Sequence, residues 1–151
     1  MIEVKSLSKA TGCRIYAKCE HMNPGGSVKD RAAVWMIEDA ERKGILKPGD
    51  TLVEASGGNT AIAIAMAASA RGYKSIFAVP MSASVEKLDY IKLLGGEYVK
   101  CPGVPFTHPD HYFHTAARIA RETPRALFTN QFDSEAYFQS HYEGTGKEIW
   151  N

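Results

Sequence analysis

The sequence predicts an α/β protein with three layers, in which helices cover both faces of a parallel sheet. Two observations predict this fold class. Short apolar runs alternate along the chain with longer helical segments, and a glycine or proline ends several of them. One helical segment is apolar around its whole circumference, so it should be buried against a sheet. Repeated strand-helix units of this kind form parallel sheets through right-handed crossovers.

The predicted elements follow one another in a regular order. The predicted strands comprise residues 13–20, 51–55, 75–79, 97–100 and 126–129. The predicted helices comprise residues 27–43, 58–70, 84–94 and 109–121. Gly44 and Gly72 end the first two helices, and Pro80 ends the third strand. The second helix, with the sequence AIAIAMAASA, is the apolar one.

Composition excludes several classes of protein. The 151 residues are 44% hydrophobic and 23% charged, which fits one soluble globular domain. A net charge of +1 gives no electrostatic argument for binding nucleic acid or an acidic membrane, and no segment is long and apolar enough to span a bilayer. Cys13, Cys19 and Cys101 fit no metal or redox spacing. We expect a cytoplasmic protein, with a mitochondrial one as the alternative if a targeting segment has been lost.

A lysine in the segment 23–31, NPGGSVKDR, is the first candidate functional residue. Asn-Pro-Gly-Gly is typical of a turn, and Ser27 with Asp30 resembles a capping box, so Lys29 should lie in the first turn of a helix. The positive end of the helix dipole disfavours an ammonium ion there, and a neutral amine can form a Schiff base with an aldehyde cofactor. The alternative is a surface lysine that turns away from the helix.

Two further loops follow predicted strands at the carboxyl end of the sheet, where α/β proteins bind ligands. The first is SGGNT, residues 56–60, which offers hydroxyls, an amide and a helix N-terminus to a carboxylate or phosphate. A purely structural helix cap is the alternative. The second is Asn130-Gln131-Phe132. As a tripeptide it is uninformative, but its order and distance from the other two motifs give it weight.

These three motifs together resemble one enzyme family. The nonapeptide NPGGSVKDR is similar to the lysine motif of the pyridoxal-phosphate (PLP) enzymes of the cysteine synthase and cystathionine β-synthase family. The stretch VEASGGNTAIAIA resembles the family's asparagine loop, and Asn130-Gln131-Phe132 resembles its Asn-Gln-Phe motif. The resemblance implies the small sub-domain of the tryptophan synthase β-like fold (fold type II). It extends from about Leu7 to Trp150.

The resemblance implies a role for each matching residue. Lys29 would hold PLP and act as general base, and Asn59 would reach the cofactor's ring hydroxyl. The residues implied to bind the substrate carboxylate are Ser56, Gly58, Asn59, Thr60 and Gln131. Gly57 and Ala61 depart from the family pattern, which has serine and glycine there. One hydroxyl donor is therefore lost at residue 57.

The implied reaction is β-replacement, in which O-acetylserine and sulfide give cysteine, with fungal cysteine synthase-like proteins as the nearest branch. A cystathionine β-synthase or serine/threonine dehydratase relative and a non-catalytic truncated partner of a full-length subunit are the alternatives. A homodimer is implied for the complete enzyme. Because the family's phosphate loop has no counterpart here, we expect a truncated form. Its expected parts are residues 1–26 from the large domain, 27–140 as the small sub-domain and 141–151 as the start of the absent large domain.

Other patterns carry less weight. His108, His111 and His114 spread across a helix opened by Pro109 instead of converging on a metal, so no metal site is predicted. The segment 144–147, GTGK, imitates a P-loop but is followed by Glu148 instead of serine or threonine. The remaining candidates near the lysine motif are expected in the core: Met22, Trp35 and Met36.

Overall fold

Four parallel strands form the central sheet in a computed structural model that describes residues 1–150. In chain order the strands are β1 (Ile2–Glu3), β2 (Tyr16–Ala17), β3 (Thr51–Ala55), β4 (Lys74–Pro80), β5 (Glu97–Cys101) and β6 (Ala126–Phe128). The helices are α1 (Lys5–Thr11), α2 (Lys29–Arg42), α3 (Asn59–Arg71), α4 (Val85–Leu93), α5 (Tyr112–Glu122), α6 (Glu135–Gln139) and α7 (Gly146–Trp150). The sheet order is β5-β4-β3-β6, and β1 pairs with β2 in a separate antiparallel hairpin.

Helices cover both faces of the sheet, which confirms the predicted three-layer α/β class. Leu52 of β3 belongs to a large core with buried residues of α2, α3 and α4. Its neighbours Val53 and Ala55 point to the opposite face and pack with Ala116 of α5. This division follows from the alternation of side chains along a strand. Since both faces are covered, every residue of β3 is buried.

The apolar helix α3 is buried as the sequence predicts. Eight of its 13 residues are buried, and most of them are alanine or isoleucine. Alanine rows let α2 and the sheet approach α3 closely from both sides. Gly72 ends the helix in the left-handed conformation, with φ 74°, and its N–H bonds back to the last turn.

The start of α2 differs in detail from the predicted capping box. The Ser27 hydroxyl accepts a hydrogen bond from the Lys29 N–H at 3.1 Å, but the N-cap position is Val28 and has no side-chain capping bond, so Ser27 acts from one residue before the cap. The Asp30 carboxylate accepts instead from the Gly25 N–H, outside the helix. Asp30 therefore closes the preceding Asn-Pro-Gly-Gly turn, and this turn fixes where Lys29 enters α2.

Several predicted boundaries are wrong. The strand predicted over residues 13–20 is reduced to β2, because its partner β1 is only two residues long. Helix α5 begins at Tyr112 instead of Pro109, since the ring of His111 caps it. Helices α1 and α6 were not predicted. Met36 is buried, but Trp35 is only half-buried and Met22 is 77% exposed, in a one-turn 3-10 helix (Glu20–Met22) before α2. Within residues 1–150, no helix is long and apolar enough to cross a membrane.

Candidate functional site

Helices α2 and α3 begin at the same edge of the sheet. Near their C-termini, Arg71 of α3 donates hydrogen bonds of 2.7 Å to both Glu38 and Glu41 of α2. The helices have nearly equal lengths, 14 and 13 residues, and run side by side, so their N-termini also lie at one end. Because α3 starts directly after β3, that end is the carboxyl edge of the sheet. Lys29 and Asn59 therefore begin two helices at the ligand-binding edge of an α/β fold.

The amine of Lys29 contacts an aromatic side chain that the sequence did not single out. Lys29 is half-buried, and its Nζ donates to the hydroxyl of Tyr137 on α6. One helical turn further, the ring of His141 lies 5.3 Å from that of Tyr137. Burial lowers the pKa of His141, and the positive charges of Lys29 and Arg31 lower it further. Lys29 thus projects toward a polar group of the α6 region, and His141 beside it is biased toward its neutral form.

The glycine loop between β3 and α3 is braced internally. Gly58 is predicted to bind substrate, but its N–H already has a partner inside the loop, because the Ser56 hydroxyl accepts from it at 3.2 Å. Ser56 and Gly58 are half-buried, Thr60 is buried and Asn59 is exposed. Of the predicted site residues in this loop, Asn59 is therefore the most accessible to a ligand.

The structure brings Thr60 and Gln131 into direct contact. The Thr60 hydroxyl donates to the Gln131 side-chain oxygen at 2.7 Å, across 71 residues of sequence. This bond engages the acceptor oxygen of the Gln131 amide, and the remaining polar group of that amide is an NH₂ donor. Asn130 just before it has a positive φ of 45°, which turns the chain sharply after β6. The start of α3 and the loop after β6 therefore form one continuous set of donors.

Gly57 packs against the end of β4. A Cβ atom on residue 57 would lie 2.8 Å from the Cβ of Ala83 and 3.2 Å from that of Val79. Gly58, the next residue, has only the Ser56 hydroxyl within reach, at 3.9 Å. The departure from the family's serine at residue 57 is therefore matched to the packing of the neighbouring segment.

Gly57→Ser should destabilise the protein, because the new side chain must displace Ala83. Overpacking of this kind costs about 1–3 kcal/mol of the free energy of unfolding. Urea denaturation measures the change, and Gly58→Ser is the matched control, expected to cost less than the Gly57 variant. Adding Ala83→Gly to the Gly57→Ser variant should recover most of the loss. Equal costs at residues 57 and 58 would contradict this account.

A cluster of ion pairs joins the N-terminal hairpin region, α2 and α7. The Arg31 guanidinium donates to the Glu148 carboxylate at 2.6 and 2.9 Å and to Glu20 at 2.8 Å. Lys18 contacts both glutamates. Hydrogen bonds from Arg31 and then Lys18 lower the pKa of Glu148 to about 2. The cluster therefore holds α7 against the start of the chain.

Glu148→Gln should release α7. Since folding depresses the pKa of Glu148, its stabilising effect is present above about pH 4.3, the ordinary glutamate value, and is lost as the pH falls toward 2. The protection of the α7 amides against hydrogen exchange, measured relative to the intrinsic exchange rate at each pH, should fall over that window in the wild type. In Glu148→Gln this protection should already be low at neutral pH. Glu143→Gln, which removes only the i,i+4 contact with Lys147, is the control. Unchanged α7 exchange in Glu148→Gln would disprove the role of the cluster.

Comparison with known proteins places this arrangement in a family. A family model described as "Pyridoxal-phosphate dependent enzyme" matches residues 1–151. Cysteine synthase 1 of Neurospora crassa is 47% identical over 150 residues, which cover 99% of this chain and 40% of that protein. The chain belongs to the pyridoxal-phosphate-dependent enzyme family. Cystathionine beta-synthase of Apis mellifera is 42% identical over 153 residues, which cover 99% of this chain and 30% of that protein.

A solved member of the family has the same fold. The crystal structure of O-ureido-L-serine synthase superposes with a TM-score of 0.83 and 42% identity, over 90% of this chain and 42% of that one. This likeness confirms the fold type predicted from the three motifs. The chain spans about 40% of the length of the cysteine synthases it matches.

The donor set at the sheet edge fits the cofactor of this family. PLP presents an aldehyde, a ring hydroxyl and negative charge. The half-buried amine of Lys29 suits the aldehyde, and the exposed amide of Asn59 suits the hydroxyl. The N-termini of α2 and α3 at the same edge favour negative charge.

Proposed function

We propose that this chain supplies the lysine and the carboxylate-binding loops of a PLP-dependent β-replacement, in which O-acetylserine and sulfide give cysteine. The observation that carries the proposal is the Thr60–Gln131 bond, which joins two donor loops at the edge where Lys29 begins α2. The cysteine synthase relatives support the choice of reaction. The proposal extends to a homodimer, the assembly that the family resemblance implies.

Lys29 has two roles in this proposal. PLP, when bound, supplies an aldehyde that captures amines and a ring that stabilises negative charge at the substrate α-carbon. Lys29 would hold the cofactor, and its amine would take the proton from the α-carbon as general base. The Tyr137 hydroxyl, which contacts the Lys29 amine, orients it in the absence of substrate. Asn59 would hold the ring hydroxyl of the cofactor.

The two loops would bind the substrate carboxylate. The Gln131 side-chain oxygen accepts from Thr60, and the Gln131 N–H groups would donate to the carboxylate. The Ser56 hydroxyl, whose proton is not used by the Gly58 bond, and the N-terminus of α3 would add further donors, while Thr60 would hold the Gln131 amide in place. A carboxylate bound there fixes the amino acid with its α-carbon toward the edge where Lys29 lies. Orientation of this kind is the main contribution a protein makes to PLP chemistry.

The test supplies the PLP-loaded chain with O-acetylserine and either sulfide or homocysteine, and measures cysteine and cystathionine. Cysteine formed from sulfide supports the proposal. Formation of cystathionine from homocysteine would favour the second candidate, a cystathionine β-synthase activity. The cystathionine beta-synthase relatives at 42% identity support this candidate. If PLP gives no yellow absorbance and neither product forms, the chain is not catalytic by itself, and the role as a partner of a longer subunit is favoured.

A further inference from the structure

Glu54 is a carboxyl group buried in the middle of the sheet. It lies on β3, is fully buried, and interrupts an otherwise uncharged strand, TLVEA. Its Oε1 accepts from the Ala55 N–H at 2.7 Å, and its Oε2 accepts from the Gln131 N–H at 3.0 Å. The Thr129 hydroxyl also contacts Oε2, at 2.7 Å. Three donors therefore converge on a side chain that the proposed reaction does not use.

The donors come from the two segments that form the candidate site. Ala55 ends β3 and directly precedes the loop of residues 56–60. Gln131 follows β6 and bonds through its side chain to Thr60. Glu54 thus links the main chains of the same two loops that Thr60 and Gln131 link through their side chains. With Asn130 at φ 45°, the loop after β6 turns sharply there, and Glu54 holds the residue after the turn.

We propose that Glu54 is a positioning residue, whose two carboxyl oxygens hold the main chains of Ala55 and Gln131 in the alignment that binds the substrate carboxylate. Only a carboxyl group can do this, because each of its oxygens accepts a backbone N–H. A glutamine side chain of the same size has one acceptor oxygen and would turn its NH₂ group toward one of the two N–H donors. The nature of the ligand rests on the proposed function, whereas the link between the loops does not.

The surroundings of Glu54 are uncharged. Burial raises its pKa, and the hydrogen bonds from Thr129, Gln131 and Ala55 oppose the rise. On the neighbouring strands, β4 places Phe77 opposite it, and β6 has no titratable residue. The helices that cover the Glu54 face of the sheet carry few titratable groups near the carboxyl ends of the strands, and those groups are exposed or bonded elsewhere. Lys29 donates to Tyr137, and Asp30 accepts from the Gly25 N–H. Glu135 is exposed, and α3 has no titratable residue before Arg71.

Titration of the wild-type protein tests the link without any substitution. Backbone amide shifts of Ala55 and Gln131, followed by NMR as the pH is lowered, should change together with one midpoint. Because burial raises the pKa of Glu54, that midpoint should lie above the ordinary glutamate value of about 4.3. The amide of Val79 on β4 serves as the reference, and its chemical shift should not change with this midpoint. Separate midpoints, or no change at Gln131, would overturn the proposal.

Glu54→Gln tests the consequence for the site, with Thr129→Val as the matched control that removes only the hydroxyl. In Glu54→Gln we expect hydrogen exchange of the Gln131 amide to accelerate about tenfold or more, while exchange of the β3 and β4 amides stays unchanged. In Thr129→Val the acceleration at Gln131 should be smaller. Binding of O-acetylserine to the PLP-loaded chain should weaken about tenfold or more in Glu54→Gln alone. Equal effects of the two variants on Gln131 exchange would overturn the proposal.

The wild-type titration and the binding measurement keep this inference testable apart from the proposed function. If Glu54→Gln does not fold, the wild-type titration still decides the matter. If the amides respond as expected but the wild type binds no O-acetylserine, the link between the loops stands and the proposed substrate is wrong.

Discussion

Lys29→Ala should abolish covalent attachment of PLP to this chain. The chain has other lysines on its surface, but Lys29 is half-buried and begins α2 at the edge where α3 presents its donors. Alanine removes the amine of the segment 23–31, NPGGSVKDR. The measurement is the visible absorbance of the PLP-treated protein, followed by borohydride reduction and peptide mass spectrometry. In the wild type the pyridoxyl group should appear on Lys29, and in the variant the yellow colour should be absent.

Two controls sharpen this test. Lys43→Ala changes an exposed lysine whose ammonium pairs with Asp39, and attachment should be unaffected. Lys29→Arg keeps the positive charge and the length of the side chain but has no amine that can condense with an aldehyde, so attachment should also be lost. Attachment in Lys29→Arg, or a pyridoxyl group on another lysine in the wild type, would refute the assignment of Lys29.

Most of the fold could be predicted from the sequence because its signals are local. The predicted bounds of β3 are the observed ones, and because α3 is apolar around its whole circumference, its sequence requires a buried position. The first turn of α2 at Lys29 follows from the turn and cap residues just before it. The strand predicted over residues 13–20 was wrong because strand length depends on the partner. A two-residue β1 cannot pair with an eight-residue strand, and this is not visible within the segment itself.

The candidate site could be predicted only as far as its loops. The carboxyl-edge rule brings the segments around Thr60 and Gln131 together, but not the bond between their side chains. The contact of Lys29 with Tyr137 joins residues 108 apart, and no motif includes Tyr137. Glu54 did leave a signal, since a carboxylate in a strand buried on both faces requires donors. The identity of those donors, one at the end of β3 and two beyond β6, comes only from the three-dimensional structure.

Of the single substitutions proposed above, Phe77→Ala should lower the free energy of unfolding the most. Phe77 lies on β4 and is the largest of the fully buried side chains in residues 1–150. Its ring packs so closely on the next segment that a Cβ on Gly96 would lie 3.0 Å from it. Truncation of a buried phenylalanine costs about 3–5 kcal/mol, through lost burial and the cavity that remains.

That loss is large compared with the total stability of a domain, about 5–15 kcal/mol. Urea denaturation should therefore show a much lower midpoint for Phe77→Ala, with Phe138→Ala as the control, because Phe138 is 62% exposed and should change stability by about 0.5 kcal/mol or less. The effect should also reach the site, since Val79 and Pro80 at the end of β4 pack against Gly57. A Phe77→Ala variant that loses less than about 1 kcal/mol would show that the core on this face collapses into the space, contrary to the close packing between β4, α3 and α4.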